Sequence, residues 1–418
     1  MEINNNNLKF PLDFVKTFLK WILISVIVGS VGGLIGCVFH ESVDFVTHIR
    51  ENNTWVIFLL PVGGLFIALI YRFFRSKGRI DTNRVIESAR EDEKVPLIMI
   101  PLIFISTVVT HLLGGSAGRE GAALQLGGSI GYNLGKVFKL NKNDKHIIVM
   151  SGMSAVFAAL FGTPLTAAFF SLEVVSVGVL HYAGLVPCIL SGIVAYQISL
   201  LFGISPVRFD NVVFQAVSVD LMAKVIILAV FCASLSIVFC FVIKKCEHYM
   251  EKILPNIYLR ASVGGAIILL LTLIIGTYDY NGAGMNIITN AISGEARPEA
   301  FILKIIFTAI TISAGFKGGE IVPTFFIGST FGCVIGPLLG LDAGFSAAVG
   351  FVALFCGVVN CPVASVMLSF EVFGQDGVLF FATVCAVSYM MSGYSGLYKS
   401  QKIVYSKLSD EQIDINTK

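Results

Sequence analysis

The chain has 418 residues, of which 56% are hydrophobic and only 13% charged, and its formal net charge is +2. A soluble protein of this size carries about 25% charged residues, so the composition excludes an ordinary water-soluble domain and indicates a lipid environment. The near-neutral charge gives no reason to expect nucleic acid or an acidic substrate as a partner. The nine cysteines are scattered singly, without the spacing of a metal site, and neither a metal nor another cofactor is predicted.

Apolar stretches follow one another along the whole chain and predict an all-α integral membrane protein. A helix needs about 20 residues to cross the hydrocarbon core of a bilayer, and several of the stretches are shorter or are broken by glycine and proline. Broken segments are tolerated in a membrane only against protein or a wet cavity, so a transport site is expected there. The stretches cover residues 21–39, 55–71, 95–113, 147–170, 179–202, 221–242, 263–275, 301–312, 321–339, 347–370 and 378–391.

Basic residues gather before the first stretch and after the second, whereas the connecting segment 40–53 is mainly acidic. Because Lys and Arg collect on the cytoplasmic side of membrane proteins, the N-terminus is predicted to lie inside the cell and the protein in the cell membrane. Residues 1–20 and 399–418 are then expected to be cytoplasmic segments. The basic residues are Lys9, Lys16, Lys20, Arg72, Arg75, Lys77 and Arg79.

A sequence repeat divides the chain into two halves. The segment GMSAVFAALFGTPLTAAFFSLEV, which begins at Gly152, resembles GFVALFCGVVNCPVASVMLSFEV, which begins at Gly350, at an offset of 350 − 152 = 198 residues. Two homologous halves indicate a transporter whose site lies at their interface. The halves are predicted over residues 21–203 and 204–398, with Pro164 matching Pro362 and Glu173 matching Glu371.

The segment Gly114–Gly131 reads GGSAGREGAALQLGGSIG and places Glu120 beside Arg119. Glycines let the backbone turn sharply, and a helix that starts there exposes its first N–H groups and the positive end of its dipole, which together bind an anion. A counterpart, GFKGGEIVPTFFIGSTFG, spans Gly315–Gly332 in the second half. Close helix packing is the alternative for either segment alone. Together they predict a halide held between two facing helix starts.

These motifs resemble those of the CLC family of chloride channels and halide/proton antiporters. G-R-E-G at Gly118–Gly121 is similar to the family's G-x-E-G-P motif, and Gly319–Pro323 is similar to its G-x-F-x-P motif. Pro164-Leu165 leading to Glu173, and the S-G-x-x-G-L-Y segment that ends at Tyr398, resemble two further family segments. The resemblance implies inverted repeats of tilted and discontinuous transmembrane helices, a homodimer with one pore in each subunit, and no enzymatic activity.

The resemblance also implies roles for single residues. Glu120 corresponds to the family's gating glutamate, and Tyr398 to a pore-lining tyrosine whose hydroxyl faces the inner side. Thr82 and Asn83 fall near the position of a family serine that touches chloride. The anion-binding residues implied in this way are Gly118, Arg119, Gly121, Thr82, Asn83, Glu320, Ile321, Val322 and Tyr398.

Departures from the family pattern bear on which halide is moved. Ala122 replaces the proline of the first motif and Ile321 the phenylalanine of the second, while GRIDTNRVIES (Gly78–Ser88) stands where the family has G-S-G-I-P. K-G-G-E and the ending S-G-x-x-G-L-Y-x-x-Q resemble the fluoride-exporting branch, which usually has threonine at the position of Val322. The sequence therefore leaves both chloride and fluoride as candidates for the transported halide.

Protons are predicted to pass by way of Glu120 and Glu173. Glu173 is followed by Val174, whereas many chloride/proton exchangers of the family have two adjacent carboxylates here, so Glu173 or water is expected to relay protons. A helix-end interaction is the alternative for its repeat mate Glu371. Glu320 is expected to pack or to form hydrogen bonds rather than to titrate.

Halide transport in exchange for protons is the predicted function. A carboxylate at a helix start occupies the place that an anion favours, and protonation releases it, so proton and anion occupancy are coupled. A passive voltage- or proton-gated chloride channel of the same fold is the open alternative. A sodium-coupled solute carrier is the alternative from another class.

Overall fold

The computed structural model describes residues 6–74, 81–91 and 93–418, and helices account for most of them. The first eight helices are α1 (Asn6–Asn52), α2 (Leu60–Phe73), α3 (Thr82–Arg90), α4 (Met99–Leu113), α5 (Glu120–Val137), α6 (Lys142–Phe161), α7 (Pro164–Glu173) and α8 (Leu185–Leu201). The later ones are α9 (Val219–Ile253), α10 (Ile257–Ile275), α11 (Met285–Ile292), α12 (Ala300–Ser313), α13 (Ile321–Ile335), α14 (Ala343–Val359), α15 (Pro362–Phe373) and α16 (Val378–Met391). Short 3-10 helices cover Thr54–Leu59, Tyr182–Gly184 and Gly336–Leu339.

Seven helical segments within the described ranges are long and apolar enough to cross a membrane, and five shorter apolar helices accompany them. The prediction of a multi-pass membrane protein is therefore confirmed. The longest helix, α1, has 47 residues, which at a rise of about 1.5 Å per residue makes it about 70 Å long, more than twice the thickness of a bilayer core.

The acidic segment 40–53 between the first two apolar stretches is helical over nearly its whole length, because α1 continues through it to Asn52. The segment contains neither glycine nor proline, and its polar residues favour a helix as readily as a loop. Three of the basic residues used for the orientation, Arg75, Lys77 and Arg79, lie outside the described residues.

Two of the predicted spans are each divided into two helices. The stretch 147–170 breaks between α6 and α7, and the stretch 347–370 breaks between α14 and α15. Gly162 (φ 74°) and Asn360 (φ 57°) end the earlier helices in the left-handed conformation, and proline starts the later helix in both cases. These breaks are 360 − 162 = 198 residues apart, which is the offset of the sequence repeat.

The mostly helical fold also contains a small sheet, to which residues 402–416 of the tail contribute two strands. Three short strands form one sheet, in which β1 (Ser176–Val177) pairs in parallel with β2 (Lys402–Tyr405), and β2 pairs antiparallel with β3 (Gln412–Asn416). Between β2 and β3, Lys407 donates hydrogen bonds to Asn360 Oδ1 at 2.5 Å and to the Tyr389 carbonyl at 2.8 Å. Burial lowers the pKa of Lys407 to about 8.

Phenylalanine rings join the two halves of the molecule in its core. The rings of Phe325 and Phe351 stack with centroids 4.1 Å apart. Phe161 of the first half lies 5.6 Å from Phe325 of the second, and Phe170 lies 5.7 Å from Phe355. Aromatic pairs at these separations add specific attraction to the burial of their apolar area. This packing joins α6 to α13 and α7 to α14.

Candidate anion and proton site

The starts of α5 and α13 meet in the interior of the protein. Gly118 and Gly319, which precede these two helices, form an isolated antiparallel bridge. The Gly118 N–H donates to the Gly319 carbonyl at 2.7 Å, and the Gly319 N–H donates to the Gly118 carbonyl at 2.6 Å. The predicted arrangement of two facing glycine-rich segments is therefore present.

Only glycine fits where the two segments touch. A Cβ added to Gly319 would lie 2.3 Å from the Gly121 nitrogen, and one added to Gly121 would lie 2.7 Å from the Gly319 Cα. Neither position has a flexible side chain as its nearest neighbour, so a larger residue could enter only if the backbones moved apart.

The two helix starts can bind an anion. The first N–H groups of an α-helix have no partner within the helix. Within the part of the chain that the structure describes, the side chains of the N-cap residues Arg119 and Glu320 form no capping hydrogen bond with these groups. The first turns, which include Ile321 and Val322, are buried. Buried N–H groups at two helix starts favour a negatively charged occupant.

The Glu120 side chain lies at this meeting point. It is 2% exposed, and its Oε2 accepts a hydrogen bond from the Arg119 N–H at 3.0 Å. The Arg119 Nε lies 3.8 Å from Glu120 Oε1. A Cβ added to Gly118 would lie 2.8 Å from Glu120 Oε2 and 2.9 Å from the Val322 Cβ. The carboxylate thus lies against both glycine-rich segments, where an anion would also bind.

A cavity of about 440 Å³ leads to Glu120 from the distal side of the protein, which we define as the side where α1 ends at Asn52. The lining combines cationic, acidic and histidine side chains. Arg50, on the last turn of α1, donates to the His111 carbonyl at 2.8 Å. Its polar lining includes Asp44, Arg50, His111, Arg119, Glu120 and Asp279.

The loop over this cavity depends on a residue that the sequence analysis did not single out. Lys304 on α12 is fully buried, and its Nζ donates to the carbonyls of Gly282 at 2.7 Å and Tyr280 at 3.3 Å. The Asn281 Nδ2 donates to the Gly114 carbonyl at 2.9 Å. Lys304 is the one charged residue in the apolar stretch 301–312, and the rarity of intramembrane charges would have identified it.

Thr82 and Asn83 lie in the first turn of α3, and the side chain of each accepts a hydrogen bond from another element. The Thr82 hydroxyl accepts a hydrogen bond from Gln125 Nε2 of α5 at 3.0 Å. The Asn83 Oδ1 accepts one from the Ser400 N–H at 3.0 Å. These contacts connect the helix that starts at Glu120 and the segment that follows Tyr398 to the same short helix.

Tyr398 is 2% exposed, and no described residue offers its hydroxyl a hydrogen-bond partner. A buried hydroxyl without a partner costs free energy, which favours an occupant beside it.

Glu320 precedes α13, and its Oε2 would lie 3.4 Å from a Cβ at Gly121. The packing or hydrogen-bonded role expected of Glu320 stays a prediction.

Glu173 and Glu371 form reciprocal contacts between the halves. The Glu173 carboxylate accepts from the N–H groups of Val363 at 3.1 Å and Ala364 at 2.8 Å, in the first turn of α15. The Glu371 carboxylate accepts from Leu165 N–H at 2.9 Å and from Thr166 N–H at 2.8 Å, in the first turn of α7. Each carboxylate therefore caps the repeat mate of its own helix.

Comparisons with known proteins agree with this geometry. Residues 63–393 match the family model described as voltage gated chloride channel. A "Chloride/fluoride channel protein" of Pseudomonas syringae pv. tomato is 35% identical over 405 residues, which cover 95% of this chain and 89% of the relative. An "H(+)/Cl(-) exchange transporter ClcA" of Klebsiella pneumoniae (strain 342) is 25% identical, with 85% and 82% covered. The crystal structure of a CLC-type fluoride/proton antiporter superposes with a TM-score of 0.87 at 29% identity, covering 92% of this chain and 98% of that one.

Proposed function

The chain belongs to the voltage gated chloride channel family, and from this premise we propose that it moves halide ions across a membrane in exchange for protons. The observation that carries the proposal is the position of the Glu120 carboxylate, 2% exposed, where the starts of α5 and α13 meet. That position combines two features that the exchange needs, an anion site made of backbone amides and a titratable group that competes for it.

The competition gives the coupling its physical basis. An ionised Glu120 is itself the anion that the two helix starts favour, so it excludes a halide from the same place. A proton taken up from the distal cavity neutralises the carboxylate and allows a halide to replace it. A bound halide in turn raises the proton affinity of Glu120, because two negative charges repel each other at short range in a buried site.

We propose that the anion path continues past the first turn of α13 to the Tyr398 hydroxyl. Ile321 and Val322 offer buried backbone at the start of α13, and a hydroxyl donor beyond them suits a small anion that has lost its water. In this scheme Gly118 and Gly121 permit the close approach of the two glycine-rich segments. Arg119 stabilises the negative charge near Glu120. Thr82 and Asn83 orient the groups to which they hydrogen-bond, the Gln125 side chain and the Ser400 N–H.

Fluoride is the proposed substrate, with chloride as the competitor. The 35% identical relative is named a chloride/fluoride channel protein, and the structure with a TM-score of 0.87 is titled a fluoride/proton antiporter. Fluoride is a stronger hydrogen-bond acceptor than chloride, and a site built from backbone N–H groups and one hydroxyl supplies the hydrogen-bond donors that favour it.

We further propose a homodimer in the cell membrane, with the N-terminus and residues 399–418 on the cytoplasmic side. The basic residues Lys16 and Lys20 near the start of α1 support this orientation under the positive-inside rule. Apolar side chains exposed on α8 and α16, among them Leu200, Leu201 and Met390, offer surfaces for a second subunit or for lipid.

The test is simultaneous recording of halide and proton flux from proteoliposomes, loaded in turn with fluoride and with chloride. Uphill proton movement driven by a halide gradient is expected, with fluoride the faster ion. Halide flux without proton movement would mean a passive channel instead. If neither halide moves, and a sodium gradient drives uptake of another solute, the proposal is wrong.

A further inference from the structure

The C-terminal hairpin, which we define as residues 401–418, packs against the segment that carries Tyr398. The Tyr398 carbonyl accepts two hydrogen bonds, one from the Thr417 hydroxyl at 2.6 Å and one from the Gln401 N–H at 3.0 Å. The Thr417 N–H donates to the Gln401 carbonyl at 3.1 Å. Thr417 and Gln401 thus enclose the backbone of Tyr398.

Gln401 also joins Tyr398 to the end of α14. Its side chain is fully buried, and its Nε2 donates to the Val359 carbonyl at 2.8 Å. The Asn360 Nδ2 lies 3.3 Å from Gln401 Oε1, and the Leu397 N–H donates to the Val358 carbonyl at 3.1 Å. The segment that carries Tyr398 therefore hydrogen-bonds to the C-terminal end of α14, where the chain turns at Asn360.

The arrangement fixes the Tyr398 backbone and leaves its side chain without a bond. No described residue pairs with the Tyr398 hydroxyl, although the group is buried. A tyrosine held for packing alone would satisfy its hydroxyl within the protein. A rigid backbone with an unpaired hydroxyl instead describes a donor that is kept in place for an occupant.

We propose that the C-terminal hairpin positions Tyr398 for the transported halide, and that Thr417 and Gln401 are the positioning residues. This inference rests on the proposed function of the Tyr398 hydroxyl as an anion ligand. Neither residue touches the halide. Each sets the halide preference by holding the Tyr398 carbonyl, so that the hydroxyl donates along a fixed direction, which matters most for the smaller ion.

The test is a double-mutant cycle on the ratio of fluoride to chloride flux in proteoliposomes. Thr417→Val removes the hydroxyl at nearly constant volume, and Thr417→Ser retains it. We expect Thr417→Val to change the ratio about fivefold, the factor that corresponds to one hydrogen bond of typical net strength, in the direction given by Tyr398→Phe. Thr417→Ser and the hairpin control Asp414→Asn are expected to keep the wild-type ratio.

In the Tyr398→Phe background, Thr417→Val should have no further effect, because the group it positions is gone. An equal effect in both backgrounds, or an unchanged ratio in Thr417→Val, overturns the proposal. If Thr417→Val does not yield folded protein, Gln401→Leu takes its place in the same cycle, since it removes the bond to Val359 while keeping the Gln401 N–H.

A second readout does not depend on proton coupling. The chain has 12 tyrosines, and in protein labelled with 3-fluorotyrosine the ¹⁹F resonance of Tyr398 is the one that Tyr398→Phe removes. We expect this resonance to shift on addition of halide in the wild type and to broaden in Thr417→Val. A sharp, unshifted line in both proteins overturns the positioning role. If the wild type moves halide without protons, the proposed halide/proton exchange is wrong. The double-mutant cycle still tests whether Thr417 positions Tyr398.

Discussion

Gly118 and Gly319 hydrogen-bond to each other in both directions, at 2.7 and 2.6 Å, and so bring the starts of two helices from different halves of the chain into one place. The bridge leaves the first turns of α5 and α13 side by side. Each of the two glycines opens one of the sequence motifs, Gly118–Gly121 in the first half and Gly319–Pro323 in the second. At Gly319 the contact between the two backbones leaves no room for a side chain.

Gly319→Ala should therefore abolish halide transport. The new Cβ would lie 2.3 Å from the Gly121 nitrogen, so the two segments must separate, and overpacking of this kind costs about 1–3 kcal/mol or more. Flux measurements and thermal unfolding in detergent would show both effects. Gly135→Ala is the matched control, because its Cβ would meet side-chain atoms only, the nearest being Ile148 Cγ2 at 3.0 Å. Wild-type flux in Gly319→Ala would contradict the role of the bridge.

Glu120→Gln should remove proton coupling while leaving halide flux. The amide is uncharged at every pH, so it neither competes with the halide as an anion nor releases a proton. The measurement is the number of protons moved for each halide in proteoliposomes, and we expect it to fall to zero. Glu295→Gln, an exposed loop carboxylate, serves as the control. Proton pumping that survives in Glu120→Gln would mean that another group carries the proton.

Motifs with a fixed backbone requirement were readable from the sequence, and long-range polar contacts were not. The glycines around Glu120 and Glu320 predict two helix starts, because glycine in an apolar segment signals a turn or a close approach. The helix ends at Gly162 and Asn360, both in the left-handed conformation, were not predicted. One of them uses asparagine, and the apolar sequence continues on either side of both. Hydropathy alone joins the two helices on each side of such a turn.

The partners of buried polar residues depend on tertiary contacts that no local pattern encodes. Glu173 and Glu371 match in the repeat, but their hydrogen bonds run across the halves to residues 190 or more positions away. The tail likewise has the polar composition of a solvated segment, yet its two strands pair with each other and with β1. The Thr417 hydroxyl also donates to the Tyr398 carbonyl, a contact between residues 19 positions apart that composition does not predict.

Lys304→Met should loosen the loop over the distal cavity. The substitution keeps the apolar length of the side chain but removes the bonds to the carbonyls of Tyr280 and Gly282. Hydrogen bonds to charged groups contribute about 1.5–3 kcal/mol each, so amide exchange in residues 278–284 is expected to accelerate by tenfold or more. Mass spectrometry of deuterium uptake would measure this, with residues 402–416 as the internal control. Unchanged exchange in 278–284 would show that Lys304 does not hold the loop.

Glu173→Gln tests whether this carboxylate is a cap or a proton relay. Both of its oxygens accept N–H groups from the start of α15, and a glutamine can satisfy only one of them with its carbonyl oxygen. A buried N–H without a partner costs about 1–3 kcal/mol. We therefore expect a lower unfolding temperature in detergent and an unchanged ratio of protons to halide. The repeat mate Glu371→Gln should lose stability for the same reason, and the exposed Glu411→Gln should lose none. A loss of proton coupling in Glu173→Gln at wild-type stability would instead establish the relay. Loss of a helix cap lowers the stability of the protein, but the molecules that still fold keep the wild-type ratio of protons to halide.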